Sequence, residues 1–401
     1  MSGKVYITGT GIISSTGQNC KEVLDSLLSS RSGIGNLTLI DSVHKDEIPV
    51  AEVKASNELL KQLAGVPHRE TWSRTSLLGL IAVREALASS GFTDSPGIRK
   101  GIISATTVGG MDRTERFYKH FRKNNCHGRL RDVITHDMGD STEKIAGACG
   151  IKDIVTTIST ACSSSANSIL LGSRLISSGI LDMVVAGGAD SLTLFTLNGF
   201  NSLMILDKRG CKPFDDDRNG LTLGEGAGYL VLESEQSVER SGRKALAVVS
   251  GYGNACDAFH QTASSPDGDG AFLSMKKALT RAQLDPSEIN YINAHGTGTR
   301  NNDLSEGRAI ERLFASSVPP FSSTKAYTGH TLGAAGGIEA VFSVMAITEK
   351  CIWPSLHFSR PMNELKIAPA GKLIRNANVR NVLSNSFGFG GNNTSLIFTG
   401  I

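Results

Sequence analysis

The chain has 401 residues and a mass of 42.5 kDa, with 40% hydrophobic and 20% charged residues and a formal net charge of +3. A single hydrophobic core usually stops growing at roughly 250–300 residues, so two large core-forming units or a duplicated one are expected. The near-neutral balance, with no long basic run and no basic stretch interleaved with aromatics, excludes a nucleic-acid footprint. Seven cysteines without a CxxC pair argue for reduced thiols and a cytoplasmic setting.

The chain enters a strand pattern at once at Lys4-Val-Tyr-Ile-Thr8, with no charged and apolar leader of a secretion signal before it. No apolar stretch approaches the ~20 residues that span a bilayer, so no membrane partner is expected. Short β-branched runs then alternate with longer amphipathic stretches, the pattern of an α/β protein with buried strands. Strands are predicted at Gly101-Ile-Ile-Ser104, Ile154-Val-Thr-Thr-Ile158, Met183-Val-Val-Ala186 and Tyr229-Leu-Val-Leu232.

Between the third and fourth of these five runs lies Ser159-Thr-Ala-Cys-Ser-Ser-Ser-Ala166, where Cys162 follows a strand and opens a predicted helix of small residues. Free N–H groups and the positive end of the helix dipole are expected to lower its thiol pKa, and the small neighbours leave room for an acyl thioester. The polar segment Glu233-Ser-Glu-Gln-Ser-Val-Glu-Arg-Ser-Gly-Arg243 is the expected crossover, dividing the chain into 1–243 and 244–401.

The second part replays the order at Ala247-Val-Val-Ser250, Tyr291-Ile-Asn-Ala294, Phe321-Ser-Ser-Thr324, Val382-Leu-Ser384 and Ser395-Leu-Ile-Phe398. His295 follows the second of these strands in a glycine- and hydroxyl-rich loop. His330 follows the third, in Lys325-Ala-Tyr-Thr-Gly-His-Thr-Leu-Gly-Ala-Ala-Gly336, and Glu339 is placed to meet Lys325 if a helix starts near His330. Asn385-Ser-Phe-Gly-Phe-Gly-Gly-Asn-Asn393 is a glycine-rich turn able to offer a backbone N–H to an oxyanion. A duplicated fold with its site at a pseudo-twofold seam is the structural expectation.

Taken in order, these motifs resemble the β-ketoacyl-[acyl-carrier-protein] synthases of the elongating, Cys-His-His type, over essentially the whole chain. The nucleophile motif stands as Thr160-Ala-Cys-Ser-Ser and the first histidine motif as Ala294-His-Gly-Thr-Gly-Thr, with Asp303 and Glu306 downstream. The second histidine motif runs from Lys325 to Gly336 and the gating loop from Asn385 to Asn393. Pro213-Phe-Asp-Asp-Asp-Arg-Asn-Gly220 and Gly224-Glu-Gly-Ala-Gly228 are further landmarks.

The resemblance implies a thiolase-like duplicated αβαβα layered fold with two five-stranded sheets, and decarboxylative condensation of an acyl thioester with malonyl-acyl carrier protein. Cys162 would be the nucleophile, with its own N–H and that of Phe389 as oxyanion hole. His295 and His330 would hold the malonyl thioester carbonyl and its enolate. Lys325 would orient His330 and pair with Glu339; Asp303 and Glu306 would give structural support. Thr297 and Thr299 would bind the pantetheine arm, Phe389 would gate the acyl pocket with Phe387 and Gly388 beside it, and Val108 would line that pocket.

The implied partners are an acyl carrier protein, which brings its own phosphopantetheine, and a second subunit, identical or a related synthase chain. No metal or other cofactor is implied. The segment Met204–Pro213 is shorter than in the common fatty-acid enzymes and Asn219-Gly-Leu-Thr-Leu223 departs from their sequence, features that resemble a branch making aryl polyene pigments.

Three rival readings weaken on particular residues. A thiolase would carry a second cysteine near the C-terminus, and the glycine-rich loop here holds none; an initiating synthase would show Cys-His-Asn; a non-elongating chain-length-factor subunit would usually lack Cys162. The other six cysteines and His44, His68, His120, His127, His136, His260 and His357 are read as structural or surface residues, the adjacent Cys126 and His127 lacking a second pair at metal-site spacing.

Overall fold

The computed structural model describes residues 3–92, 97–315 and 317–401. All ten expected strands are present: β1 Val5–Ser14, β2 Lys100–Ala105, β3 Ile154–Ile158, β4 Met183–Asp190, β5 Gly226–Ser234, β6 Ala247–Cys256, β7 Tyr291–Asn293, β8 Phe321–Ser322, β9 Asn381–Gly388 and β10 Asn392–Thr399. Their lateral order is β3-β2-β4-β5-β1-β6-β10-β9-β7-β8. Numbered within each half, the order reads 3-2-4-5-1 and then its mirror image 1-5-4-2-3.

In each half the strands that lead to candidate residues pair in parallel, β3 and β4 with β2, β8 and β9 with β7, while the remaining pairs are antiparallel. The two expected five-stranded sheets are joined edge to edge by a short antiparallel pairing of β1 and β6, Tyr6 with Val248 and Ile7 with Ala247. They therefore form one continuous ten-stranded sheet.

Helices Ser164–Ser177 and Ala335–Glu349 lie between the two halves of the sheet, the first packing on β2, β4 and β10 and the second on β5 and β9. Helix Arg74–Ser89 covers the outer face of the first half and helix Asp269–Ala282 that of the second, completing five layers. The largest apolar cluster, from Ile7, Val184 and Leu230 to Ile338, Phe342 and Leu396, sits in the middle layer and draws on both halves.

Helix Ala335–Glu349 is buried without a break from Ala335 to Ile347, which explains why its sequence is apolar on every side. The stretch Leu332–Glu349 is long and apolar enough to cross a membrane by composition, contrary to the sequence expectation, but 89% of it is buried inside the protein. Its close approach to β5 requires glycine on both sides: a Cβ at Gly337 would lie 2.4 Å from the Gly228 carbonyl oxygen, and one at Gly228 2.5 Å from the Ile338 nitrogen. That contact accounts for Gly228 of the Gly224–Gly228 motif, while a Cβ at Gly224 would instead lie 2.1 Å from the Thr328 carbonyl oxygen.

Candidate active site

The carboxyl ends of β2, β3, β7 and β8 converge at the seam, the place where open α/β sheets put their ligands. β3 leads into Thr160 and Ala161, and Ala161 takes φ +53°, a left-handed conformation uncommon for a residue with a Cβ. The chain therefore makes a sharp elbow that presents Cys162 two residues before the helix begins at Ser164. Asn392 holds the elbow: its side-chain oxygen accepts from Ser163 Oγ, Asn167 Nδ2 and Asn254 Nδ2 at 2.8–2.9 Å.

His330 Nε2 lies 3.0 Å from Cys162 Sγ. The His330 segment is fastened as a short bridge to the first half, its N–H donating to the Thr222 carbonyl at 2.6 Å and its carbonyl accepting from Gly224 at 3.0 Å. His295 meets His330 edge to face with ring centroids 5.4 Å apart. Its loop is shaped by two buried carboxylates. Glu306 accepts the N–H groups of His295 and Gly296 at 2.9 and 2.8 Å, and Asp303 accepts those of Gly298 and Phe214.

Lys325 is fully buried and its ammonium donates to Glu339, to the His295 carbonyl oxygen at 2.5 Å and to His295 Nδ1 at 3.2 Å. An ammonium has no lone pair, so Nδ1 of His295 is the acceptor and Nε2 carries the proton. Lys325 thus contacts His295, where the family resemblance implied that it orients His330. Glu339 meets Lys325 as the spacing suggested.

Burial dominates the electrostatics. It holds both imidazoles well below their ordinary pKa of 6.5, with the charge of Lys325 acting in the same direction. It also pushes the Cys162 thiol up to about 11, against the opposing pull of Lys325 and of the backbone N–H groups of Phe389 and Cys162. The direction is opposite to the depression expected from the helix start: Cys162 is 6% exposed, and desolvation of a thiolate outweighs the ammonium and the two N–H donors around it. The resting site is a neutral thiol beside a neutral imidazole.

A cavity of about 490 Å³ opens over the cluster. Its polar wall carries Thr297, Thr299, Thr262, Ser264 and Asn301; its apolar wall carries Phe200, Ile205, Leu221, Phe387 and Phe389. Gly388 lies beside Cys162, where a Cβ would stand 3.2 Å from the Cys162 nitrogen. Phe389 is 37% exposed and stacks on Phe200, centroids 6.1 Å apart. Val108 does not reach the cavity wall; it is buried behind it in an apolar cluster with Leu192, Leu197, Leu221 and Leu332.

Sequence reasoning missed Phe200, Asn392 as the brace of the elbow, and Asp190, a buried carboxylate at the end of β4. Asp190 stands directly after the unbroken apolar run of β4, and a charged residue in that position is the one local signal that could have flagged it. Among the described residues, Cys162, His295 and His330 form the group whose donor atoms lie close enough for a shared ion, all within 4.8 Å of one another. The Lys325 ammonium beside His295 opposes a cation there. The remaining seven histidines stand outside the cavity.

The N-terminal domain of the Beta-ketoacyl synthase family matches residues 2–237 and its C-terminal domain residues 246–359. The chain is 31% identical over 408 residues to 3-oxoacyl-[acyl-carrier-protein] synthase 2 of Staphylococcus aureus (strain N315), covering 98% of each. Among solved structures it resembles the ishigamide ketosynthase/chain length factor, with a TM-score of 0.93 and 31% identity over 100% of both chains. It also resembles the ketosynthase ApeO in complex with its chain length factor ApeC from Xenorhabdus doucetiae, with a TM-score of 0.85 and 31% identity over 100% of this chain and 98% of that one.

Proposed function

The chain belongs to the β-ketoacyl synthase family and is an acyltransferase of the 3-oxoacyl-acyl carrier protein synthase kind; from that premise we propose the following division of labour at its site. The observation that carries it is the meeting of Cys162 Sγ and His330 Nε2 at 3.0 Å, with the Phe389 and Cys162 N–H groups directed at the sulfur.

In acyl transfer Cys162 gives its proton to His330 Nε2 as the sulfur attacks the thioester carbonyl of the acyl donor. The bond to the carrier thiol breaks and that thiol takes the proton. The negative charge that develops on the carbonyl oxygen is met by the N–H groups of Cys162 and Phe389. His330 Nδ1 has no protein hydrogen-bond partner among the described residues, so that side of the ring does not fix one tautomer. Nε2 can then accept from the thiol and later donate.

In condensation the malonyl thioester loses carbon dioxide, and the bonding pair moves toward its carbonyl oxygen as an enolate held by the Nε2–H groups of His295 and His330. The enolate carbon attacks the acyl group on Cys162, the carbon–sulfur bond breaks, and the leaving sulfur takes up one proton from solvent by way of His330. Lys325 fixes the tautomer of His295, and Glu339, Asp303 and Glu306 support the loops. The polar wall with Thr297 and Thr299 takes the pantetheine arm; Phe387, Gly388 and Phe389 border the acyl group.

No step in this scheme exchanges electrons with an outside oxidant or reductant, and the charge on the enolate oxygen is met by the two imidazole N–H groups, so the scheme calls for neither a redox cofactor nor a metal. The phosphopantetheine is the carrier protein's own.

The substrate proposed is a polyketide-like or aryl polyene acyl chain rather than a common fatty acid. The short Met204–Pro213 segment and the likeness to two ketosynthase structures with chain length factors support it. The same two structures support a heterodimer with a related subunit, a homodimer being the alternative, in the cytoplasm. Retention of Cys162 argues that this chain is the condensing partner of any such pair.

Acyl trapping on the intact protein with a panel of acyl-carrier proteins tests the scheme. A single acyl mass on the Cys162 peptide is expected, and acylation of any other residue contradicts it. Light scattering of the chain alone should give about twice 42.5 kDa for a homodimer. A monomer that turns over with a related subunit supports the heterodimer, and a stable active monomer contradicts both.

A further inference from the structure

We propose that Asp190 is a positioning residue for His330, fastening the segment that carries the imidazole to the turn that follows β2. The inference rests on the reading of His330 as the proton acceptor of Cys162.

Asp190 ends β4 and is wholly buried. Its carboxylate takes donors from two places far apart in the chain. From the turn after β2 come Thr106 Oγ1, the Thr107 N–H at 3.0 and 3.1 Å, Thr107 Oγ1 at 2.7 Å and the Val108 N–H at 3.0 Å. From the second half comes the Gly333 N–H at 2.7 Å, three residues beyond His330. A buried carboxylate is costly unless its acceptor positions are filled, and here Oδ1 is filled by the turn alone while Oδ2 joins the two segments, accepting from Thr107 and from Gly333.

The contact matters because the His330 segment is not relaxed. Gly329 takes φ +64° and Leu332 φ +52°, the second a left-handed backbone that a branched residue adopts only when its surroundings impose it. On the N-terminal side Thr222 and Gly224 hold His330 by its own backbone. On the C-terminal side Asp190 holds Gly333, where the approach is so close that a Cβ would stand 2.8 Å from Asp190 Oδ2 and 3.0 Å from Thr107 Cγ2.

His330 is thus clamped from both sides, and the 3.0 Å separation of Nε2 from Cys162 Sγ depends on both clamps. A shift of about 1 Å at such a contact is enough to cost ~100-fold in rate. In Asp190→Asn the amide NH2 has to face backbone N–H groups, so one side of the clamp opens while the volume is kept.

The test is a double-mutant cycle read by single-turnover acylation of Cys162, followed by intact mass so that slow rates remain measurable. Asp190→Asn is expected to slow acylation by ~10-fold or more, and Asp190→Asn/His330→Ala to be no more than ~2-fold slower than His330→Ala alone, because a residue acting through another has nothing left to act on. A merely structural role predicts the full loss in both backgrounds, and that additive result overturns the proposal.

Parent-rate acylation by His330→Ala would overturn the reading of His330 and the proposal with it. Parent-rate acylation by Asp190→Asn alone, with His330→Ala impaired, overturns the proposal only. If Asp190→Asn does not fold by thermal melt, Thr107→Val, which removes one donor and keeps the carboxylate, carries the same cycle. A slowing of ~3-fold or more that disappears in the His330→Ala background supports the proposal, and an unchanged rate or an additive loss contradicts it.

Discussion

Replacing Lys325 by Met removes the only charge opposite Glu339 among the contacts described for that carboxylate, while keeping most of the volume of a fully buried side chain. Breaking a buried pair by deleting one partner costs about 3–5 kcal/mol. Glu339 is already held up at about 6 by burial, and it will take a proton once the ammonium is gone, which puts the cost at the low end of that range.

For a chain of this length, about 3 kcal/mol corresponds to a fall of roughly 4 °C in melting temperature. Replacing both residues, Lys325→Met with Glu339→Met, leaves no unpaired charge and should return the melting temperature to near that of the parent. Activity should not return. Without the ammonium at 3.2 Å, His295 Nδ1 loses the donor that fixes its tautomer and ring angle.

Decarboxylation of malonyl-carrier protein should therefore fall by ~10–100-fold in both variants, less than the ~100–1000-fold expected for losing a donor outright, because the imidazole is still present. Thermal melts and carbon dioxide release measured on the same preparations separate the two effects. A double variant that recovers both stability and decarboxylation refutes the claim that Lys325 acts on His295.

Replacing Cys162 by Gln should abolish condensation but leave carbon dioxide release from malonyl-carrier protein, since the amide mimics the acylated state and both imidazoles remain; loss of both activities contradicts the division of roles. His295 and His330 are held below 6.5 in the folded protein, so below about pH 6.5 the unfolded chain binds protons that the folded one refuses. Their contribution is present above that pH and lost as it falls, by up to ~1.4 kcal/mol per pH unit for each group, and His295→Gln should flatten the decline seen in denaturant midpoints. An unchanged slope would contradict the burial argument. Helix Met111–Lys123 packs beside helix Leu194–Ser202, which carries Phe200 of the cavity wall, and exposes Arg116, Lys119, Arg122 and Lys123. KM for an acidic carrier protein should therefore rise steeply with salt while that for a small thioester mimic does not, and salt-independent turnover with both argues for an apolar docking surface.

Much of this was legible in the sequence, because the signals were local. The ten strands follow from short β-branched runs, and the pairing of Lys325 with Glu339 from helical spacing once a helix is placed after His330. The palindromic strand order was not legible, since the two-residue pairing of β1 with β6 that joins the halves has no signature in either strand. The pKa of Cys162 was misjudged for a related reason: proximity to a helix start can be read from sequence, but the burial that outweighs it is made by residues from the other half. Val108 fails similarly, as an apolar residue in a turn can face a cavity or the core behind it. Asp190 and Asn392 were missed because each works through contacts more than 80 residues away in the chain.

The central claim is that two neutral imidazoles stabilise the enolate formed on decarboxylation. Carbon dioxide release from malonyl-carrier protein by His295→Ala and His330→Ala tests it most directly. Each variant should fall ~100–1000-fold below the parent, the cost of one preorganised donor. Release at the parent rate by both variants would contradict the claim and leave this chain a relative in fold with different chemistry.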